Sequence, residues 1–150
     1  MAYADGLRQE VFNPSTAADL IEGNVVKFEN NDTTSTDSTT LTTYVALGVS
    51  ETITVTADEI VEITTGTGSS GTGNTADFKI HRDTTEIGLA ARVEFQRSDA
   101  TGADEFVTLN YVDKPGAGTY TYTLRFKVVG SGTIYARTKF LNTKVSIGET

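Results

Sequence analysis

Three groups of residues in this 150-residue chain are of types that do chemistry. The first is Gly66-Thr67-Gly68-Ser69-Ser70-Gly71, which matches the GxGxxG pattern. Those glycines cradle a pyrophosphate only where a strand precedes them and a helix follows, because the helix N-terminus holds the phosphate. Here the next segment, Asn74 to His81, has the pattern of another strand. The glycines are therefore expected in a flexible glycine–serine loop between strands. The second candidate is His81, the chain's one histidine, which a Ser-His-Asp relay would have to use. Alternation places Phe78, Ile80 and Arg82 on one strand face and Lys79, His81 and Asp83 on the other, which is expected to be wet. A surface histidine beside an aspartate is the expectation, and with no cysteine there is no zinc set. The third group is acidic: Asp58, Glu59 and Glu62, then Asp99, Asp104 and Glu105. Calcium takes such oxygens, but the spacing fits no calcium loop. Paired carboxylates for sugar hydrolysis would also need a cleft. A solvated acidic rim is expected, with no catalytic residue, no metal and no cofactor.

The elements that would position these residues are strands. In Thr119 to Val129, the residues Tyr120, Tyr122, Leu124, Phe126 and Val128 fall on one face. Thr119, Thr121, Thr123, Arg125 and Lys127 fall on the other. This period of two marks a strand buried on one side. Similar alternation predicts strands over 44–49, 52–57, 60–64, 77–82, 91–97, 105–112, 133–139 and 144–147. Turn signals separate them at 83–88, 99–102 and 130–132. Many short strands, none followed by a useful helix, predict an all-β antiparallel sandwich of jelly-roll type. The 27 threonines suit the wet faces of such strands.

The first 30 residues differ. Residues 13–23 read as one short helix, capped by Asn13, with Pro14 in its first turn and Gly23 at its end. Val25, Val26 and Phe28 then suggest a strand. This segment either packs on the domain or forms an arm that docks on a neighbour. The division expected is an arm over 1–30, a threonine- and aspartate-rich exposed loop over 31–42 and a sandwich over 43–150. The aromatic residues, six tyrosines and seven phenylalanines, are expected in the core or at a subunit interface rather than as a sugar-stacking platform. Tyr120 and Tyr122 suit either setting, since a phenol joins an apolar body to a polar tip.

Bulk properties narrow the partners. The net charge of −8 argues against nucleic acid, which calls for clustered lysine and arginine. No apolar stretch approaches the ~20 residues that span a bilayer, and no signal peptide is evident, so a soluble product with no membrane partner is expected.

The segment Tyr111-Val112-Asp113-Lys114-Pro115-Gly116-Ala117-Gly118-Thr119-Tyr120-Thr121-Tyr122-Thr123-Leu124 resembles the late strands of small C1q/TNF-like jelly rolls. It is similar in particular to those of tailed-bacteriophage virion proteins. A glycine-containing turn, a strand like Gly132 to Lys139 and a last strand like Thr143 to Gly148 extend the likeness over about residues 78–150. The resemblance implies a homotrimer on the virion, made in the host cytoplasm and placed on the capsid surface. Its length and lack of heptads suit a capsid decoration, or cement, protein partnered by the major capsid protein. On that reading Leu7, Val11, Phe12, Leu20 and Ile21 would anchor the shell. Tyr120, Tyr122 and Phe126 would meet at the three-fold axis. Two rivals stand beside it. One is a head- or tail-fibre receptor-binding domain with a carbohydrate site on a loop over 65–75. The other is a hydrolase using its acidic residues.

Overall fold

The computed structural model describes residues 25–33, 36–71, 74–95 and 105–147. They form nine strands: β1 (Val25–Thr33), β2 (Asp37–Thr39), β3 (Val45–Val55), β4 (Glu59–Gly71), β5 (Thr75–Arg82), β6 (Thr85–Glu94), β7 (Glu105–Asp113), β8 (Gly118–Val129) and β9 (Ile134–Ile147). Sheet A runs β1-β9-β4-β7, with β2 also paired to β9; sheet B runs β3-β8-β5-β6. Every pairing is antiparallel. Apart from the β5–β6 hairpin, each connection from β3 onward passes from one sheet to the other, a jelly-roll-like winding.

The core forms where the inner faces meet. Leu47, Val49 and Ile53 of β3 and Tyr122, Leu124 and Phe126 of β8 face Val61, Ile63, Leu141 and Val145 of sheet A, all buried. Phe78 of β5 stacks on Phe126 across the β5–β8 pairing, with centroids 6.1 Å apart. The alternation of β8 is thus the burial of one face of a central strand.

The expected architecture is corrected at its N-terminal end. It set a short arm containing a helix apart from the sandwich, but among the described residues there is no helix. From Val25 the chain is already an edge strand, β1, paired with β9 from Ser146 to Lys139. The polar tract that follows also supplies strand, in β1 up to Thr33 and in β2, which lies farther along the same edge of β9. An edge strand pairs through its backbone on one side, so it needs no apolar run. The helix expected over 13–23 lies outside the described residues.

The second difference is at the glycines. Gly66 to Gly71 are not a loop between strands; they continue β4, paired with β7 and β9 at once. Phe140 lies over Gly66, where an added Cβ would come within 2.8 Å of the ring and 2.5 Å of the Val107 carbonyl oxygen. A side chain there would collide with backbone, so the glycine serves close packing, not phosphate binding. Thr65, Thr67 and Ser69 are buried, and the hydroxyls of Thr65 and Ser69 donate to the carbonyls of Phe140 and Tyr135 on β9.

Candidate functional site

Four places gather polar, charged or exposed aromatic side chains. The first closes one end of the sandwich. Asp113, the last residue of β7, is 7% exposed. Its oxygens accept from Arg82 Nη1 at 3.0 and 2.8 Å, and Oδ2 also accepts from the Tyr122 hydroxyl at 2.8 Å. Three strands from two sheets meet in this cluster. Arg82 also lies over the Tyr120 ring, 5.4 Å from its centroid. The Tyr120 hydroxyl donates back to Pro115 O at 3.2 Å, and Gly116, at φ +87°, makes the turn that Pro115 begins. Burial, then the Asp113 carboxylate, pushes the Tyr122 phenol far above its ordinary range, so it remains a donor. Asp113 holds the Arg82 guanidinium above its usual value. A phenol locked as donor and a guanidinium locked as cation are groups for tying two sheets together, not for moving protons.

The second place is the outer face of sheet B. Asp77, Lys79 and His81 alternate with Ala76, Phe78 and Ile80 and so face outward. His81 is nevertheless only 3% exposed, because the Tyr44 ring meets its own edge-on at 5.2 Å. Lys127 Nζ sits over the Tyr44 ring, 4.5 Å from its centroid. Ion pairs flank them: Arg92 to Asp77 at 2.7 Å and Lys79 to Glu86 at 2.8 Å. Burial, and next the Arg125 charge, lower the His81 pKa. The Arg92 hydrogen bond holds the Asp77 carboxyl below its usual range. His81 therefore has the placement expected on the outer face, but beneath a tyrosine instead of in water.

The third place is the outer face of sheet A. Phe106 of β7 and Phe140 of β9 stack with centroids 6.2 Å apart and planes 13° from parallel. Phe106 is 62% exposed. One rank along the sheet, Asn142, Thr64 and Asn110 lie side by side on β9, β4 and β7. The next rank holds Lys144 and Glu62, 3.3 Å apart. A hollow of about 190 Å³ opens among Glu62, Thr64, Asn142 and Lys144.

The fourth is a groove of about 420 Å³ between β6 and β7, the free edges of the two sheets. Leu89, Ala90, Ala91, Leu109 and Tyr111 line it. Leu89 is 91% exposed. Gly88, at φ +69°, lets the β6 backbone lie against Tyr111.

No known protein family matches the chain, and no curated protein matches it by sequence. Solved structures do match. The VP2 subviral particle of infectious bursal disease virus aligns over 79% of this chain at TM-score 0.51 and 13% identity. The likeness is one of fold. The chain spans about a third of that protein, 32% of its length. The Gx strain of the same virus (TM-score 0.48, 10% identity, 84% of this chain and 33% of that one) adds nothing to the argument at that score. Neither does tailspike protein 4 of bacteriophage CBA120 (0.33, 12%, 77% and 19%).

The expected site residues fall in different places. Tyr122 and Phe126 are wholly buried within a single chain, and Tyr120 is half-buried over the corner. Leu7, Val11, Phe12, Leu20 and Ile21 lie outside the described residues, as do Asp99 and Asp104. Asp58 is exposed in a turn, and Glu59 accepts from Thr56 N at 2.7 Å. Among the described residues no three carboxylate or imidazole groups converge as a metal site. Sequence reasoning passed over Phe106, Phe140 and Leu89. For Phe106 a signal existed: it is out of phase with Val107 and Leu109, so period two puts it outside.

Proposed function

We propose that this chain is a virion structural protein, a capsid decoration protein that binds the head shell as a homotrimer and acts without catalysis. The observation that supports this best is the groove between β6 and β7. Two sheet edges with unpaired backbone lie beside an almost fully exposed leucine, a combination that invites association. The fold shared with VP2 and the corner-and-strand resemblance of residues 111–124 agree with it.

In mechanism, each protomer hides its β6–β7 edge against the next around a three-fold axis. Leu7, Val11, Phe12, Leu20 and Ile21 reach the major capsid protein. Three such anchors per trimer act together and raise the avidity roughly 10²–10⁴-fold over one. The test is light scattering on dilute protein, followed by imaging of purified particles. A trimer that Leu89→Asp breaks into folded single chains, and hundreds of copies per shell, are the expected results. A stable single chain in the unmutated protein would refute the trimer. A handful of copies per particle would move the protein to a fibre or vertex.

A further inference from the structure

Lys139 is a charged residue inside the core. It lies on the inner face of β9 with Leu141, Thr143 and Val145, and its side chain is 0% exposed. The strand register places it beside Thr33 of β1 and Thr67 of β4. Asp37 of β2 pairs with buried Ala136, so it too faces inward, and its Oδ2 accepts from Lys139 Nζ. The facing sheet leaves room for the pair. Gly48 of β3, at φ +72°, lies where the β3–β8 register is irregular, between Ala46 and Ser50. A Cβ added there would stand 3.3 Å from Asp37 Oδ2 and 4.0 Å from Lys139 Nζ. Leu47 and Val49 on either side are wholly buried. An amine and a carboxyl, 102 positions apart in the chain, are thus held in contact at the rim of an apolar core.

We propose that Lys139 and Asp37 condense into an intramolecular isopeptide bond. The reactants are an ammonium and a carboxylate. A proton passes along their hydrogen bond, giving a neutral amine and a carboxylic acid. The amine lone pair forms the Nζ–Cγ bond of an amide. The bond from Cγ to the hydroxyl oxygen breaks, and that oxygen departs as water with a second amine proton. Atoms and charge balance with no co-reactant. Proximity favours the step, since well-oriented intramolecular partners reach effective molarities of about 10⁵–10⁸ M. Burial favours it as well, because an ion pair held out of water carries a desolvation cost that a neutral amide avoids. The Asp37 side chain is 38% exposed, which gives the released water a way out. The bond also has a structural use. The chain has no cysteine for a disulfide, and β2 is held on β9 by only three residue pairs. The amide ties this short strand to β9 covalently.

This inference does not rest on the decoration reading, because the mass of a purified chain is independent of its assembly. The experiment is intact-mass spectrometry of the full chain under denaturing conditions, followed by tryptic mapping. The expected mass, allowing for loss of Met1, is that of the sequence less one water in most molecules. The map should contain a branched peptide, residues 28–79 joined to residues 138–144, with no cleavage after Lys139. Lys139→Arg keeps the positive charge without the amine, and Asp37→Ala removes the acid. Each variant should return the full sequence mass and unfold at a lower urea midpoint than the parent. A full sequence mass in most molecules of the folded, unmutated protein would overturn the proposal, whatever the variants do. So would a loss of water without the branched peptide, or one that persists in Lys139→Arg, either of which would mark a cyclic imide between Asp37 and Ser38 instead.

Discussion

Removing the Asp113 carboxylate is the most informative single perturbation of this fold. Asp113→Ala strands two partners with different means of recovery. The Tyr122 hydroxyl is in a wholly buried residue and is left with an unmet donor, which costs about 1–3 kcal/mol. The Arg82 side chain is 25% exposed and regains some water, so only part of the 3–5 kcal/mol typical of breaking a buried pair is lost. Together the loss is about 2–4 kcal/mol, against a total stability of about 5–15 kcal/mol for such a domain. Tyr122→Phe leaves the Asp113–Arg82 pair intact and deletes one charge-assisted hydrogen bond, about 1–2 kcal/mol. Asp113→Asn keeps an acceptor and falls between them. The assay is urea unfolding followed by circular dichroism, with the slope m unchanged and the midpoint shifted. A double-mutant cycle of Asp113→Asn with Tyr122→Phe should give a coupling of about 0.5–3 kcal/mol. The reasoning fails if Asp113→Ala lies within about 0.5 kcal/mol of the parent, or if Tyr122→Phe costs more than Asp113→Ala.

Two further expectations follow from the same geometry. Gly66→Ala should cost about 1–3 kcal/mol, because its Cβ meets the Val107 carbonyl and the Phe140 ring; a neutral substitution in urea unfolding would restore the loop reading of this segment. The pH dependence should show His81. Burial and Arg125 lower its folded pKa below the 6.5 of the free imidazole, against the pull of Glu86. The unfolded chain therefore binds a proton first as pH falls below 6.5, so stability declines from there until the folded pKa is passed. His81→Gln should flatten that window and leave the Asp77 window, below the ordinary carboxylate pKa of 3.8, in place. Thermal melts between pH 7 and 4.5 that show the same slope with and without His81 would refute this.

The legible parts of the chain were those where one strand's own alternation reports its burial. The β8 pattern gave the inner face correctly from Tyr120 to Val128, since a central strand in a sandwich meets core on one side along its length. The outward side of His81 was readable for the same reason. Its cover was not, because Tyr44 lies in another part of the chain and reaches it through space. The glycines of β4 misled more deeply. Glycine and serine are weak strand formers taken locally, and a residue-by-residue reading places them in a loop. What holds them in a strand is pairing on both sides, with partners from Glu105 to Leu109 and from Ile134 to Leu141.

The same long-range pairing explains why the candidate sites were the least legible feature. Asp113 entered the sequence reading only within the segment that carries the family resemblance, and its role depends on Arg82 and Tyr122, which the β5–β8 pairing brings together. Phe106 and Phe140 are 34 positions apart and become neighbours because β4 lies between β7 and β9, with Gly66 where a side chain would push the Phe140 ring away. Strand register, not local composition, therefore decides whether an aromatic residue is core, interface or platform. Each outer-face assignment stands on the β4 register, and a one-residue slip of β4 would exchange buried Thr65 and Thr67 for Gly66 and Gly68. Gly66→Ala is for that reason a test of the stacked aromatic pair as well as of the strand: a β4 that accepts the methyl freely could not hold Phe140 where the stacking requires it.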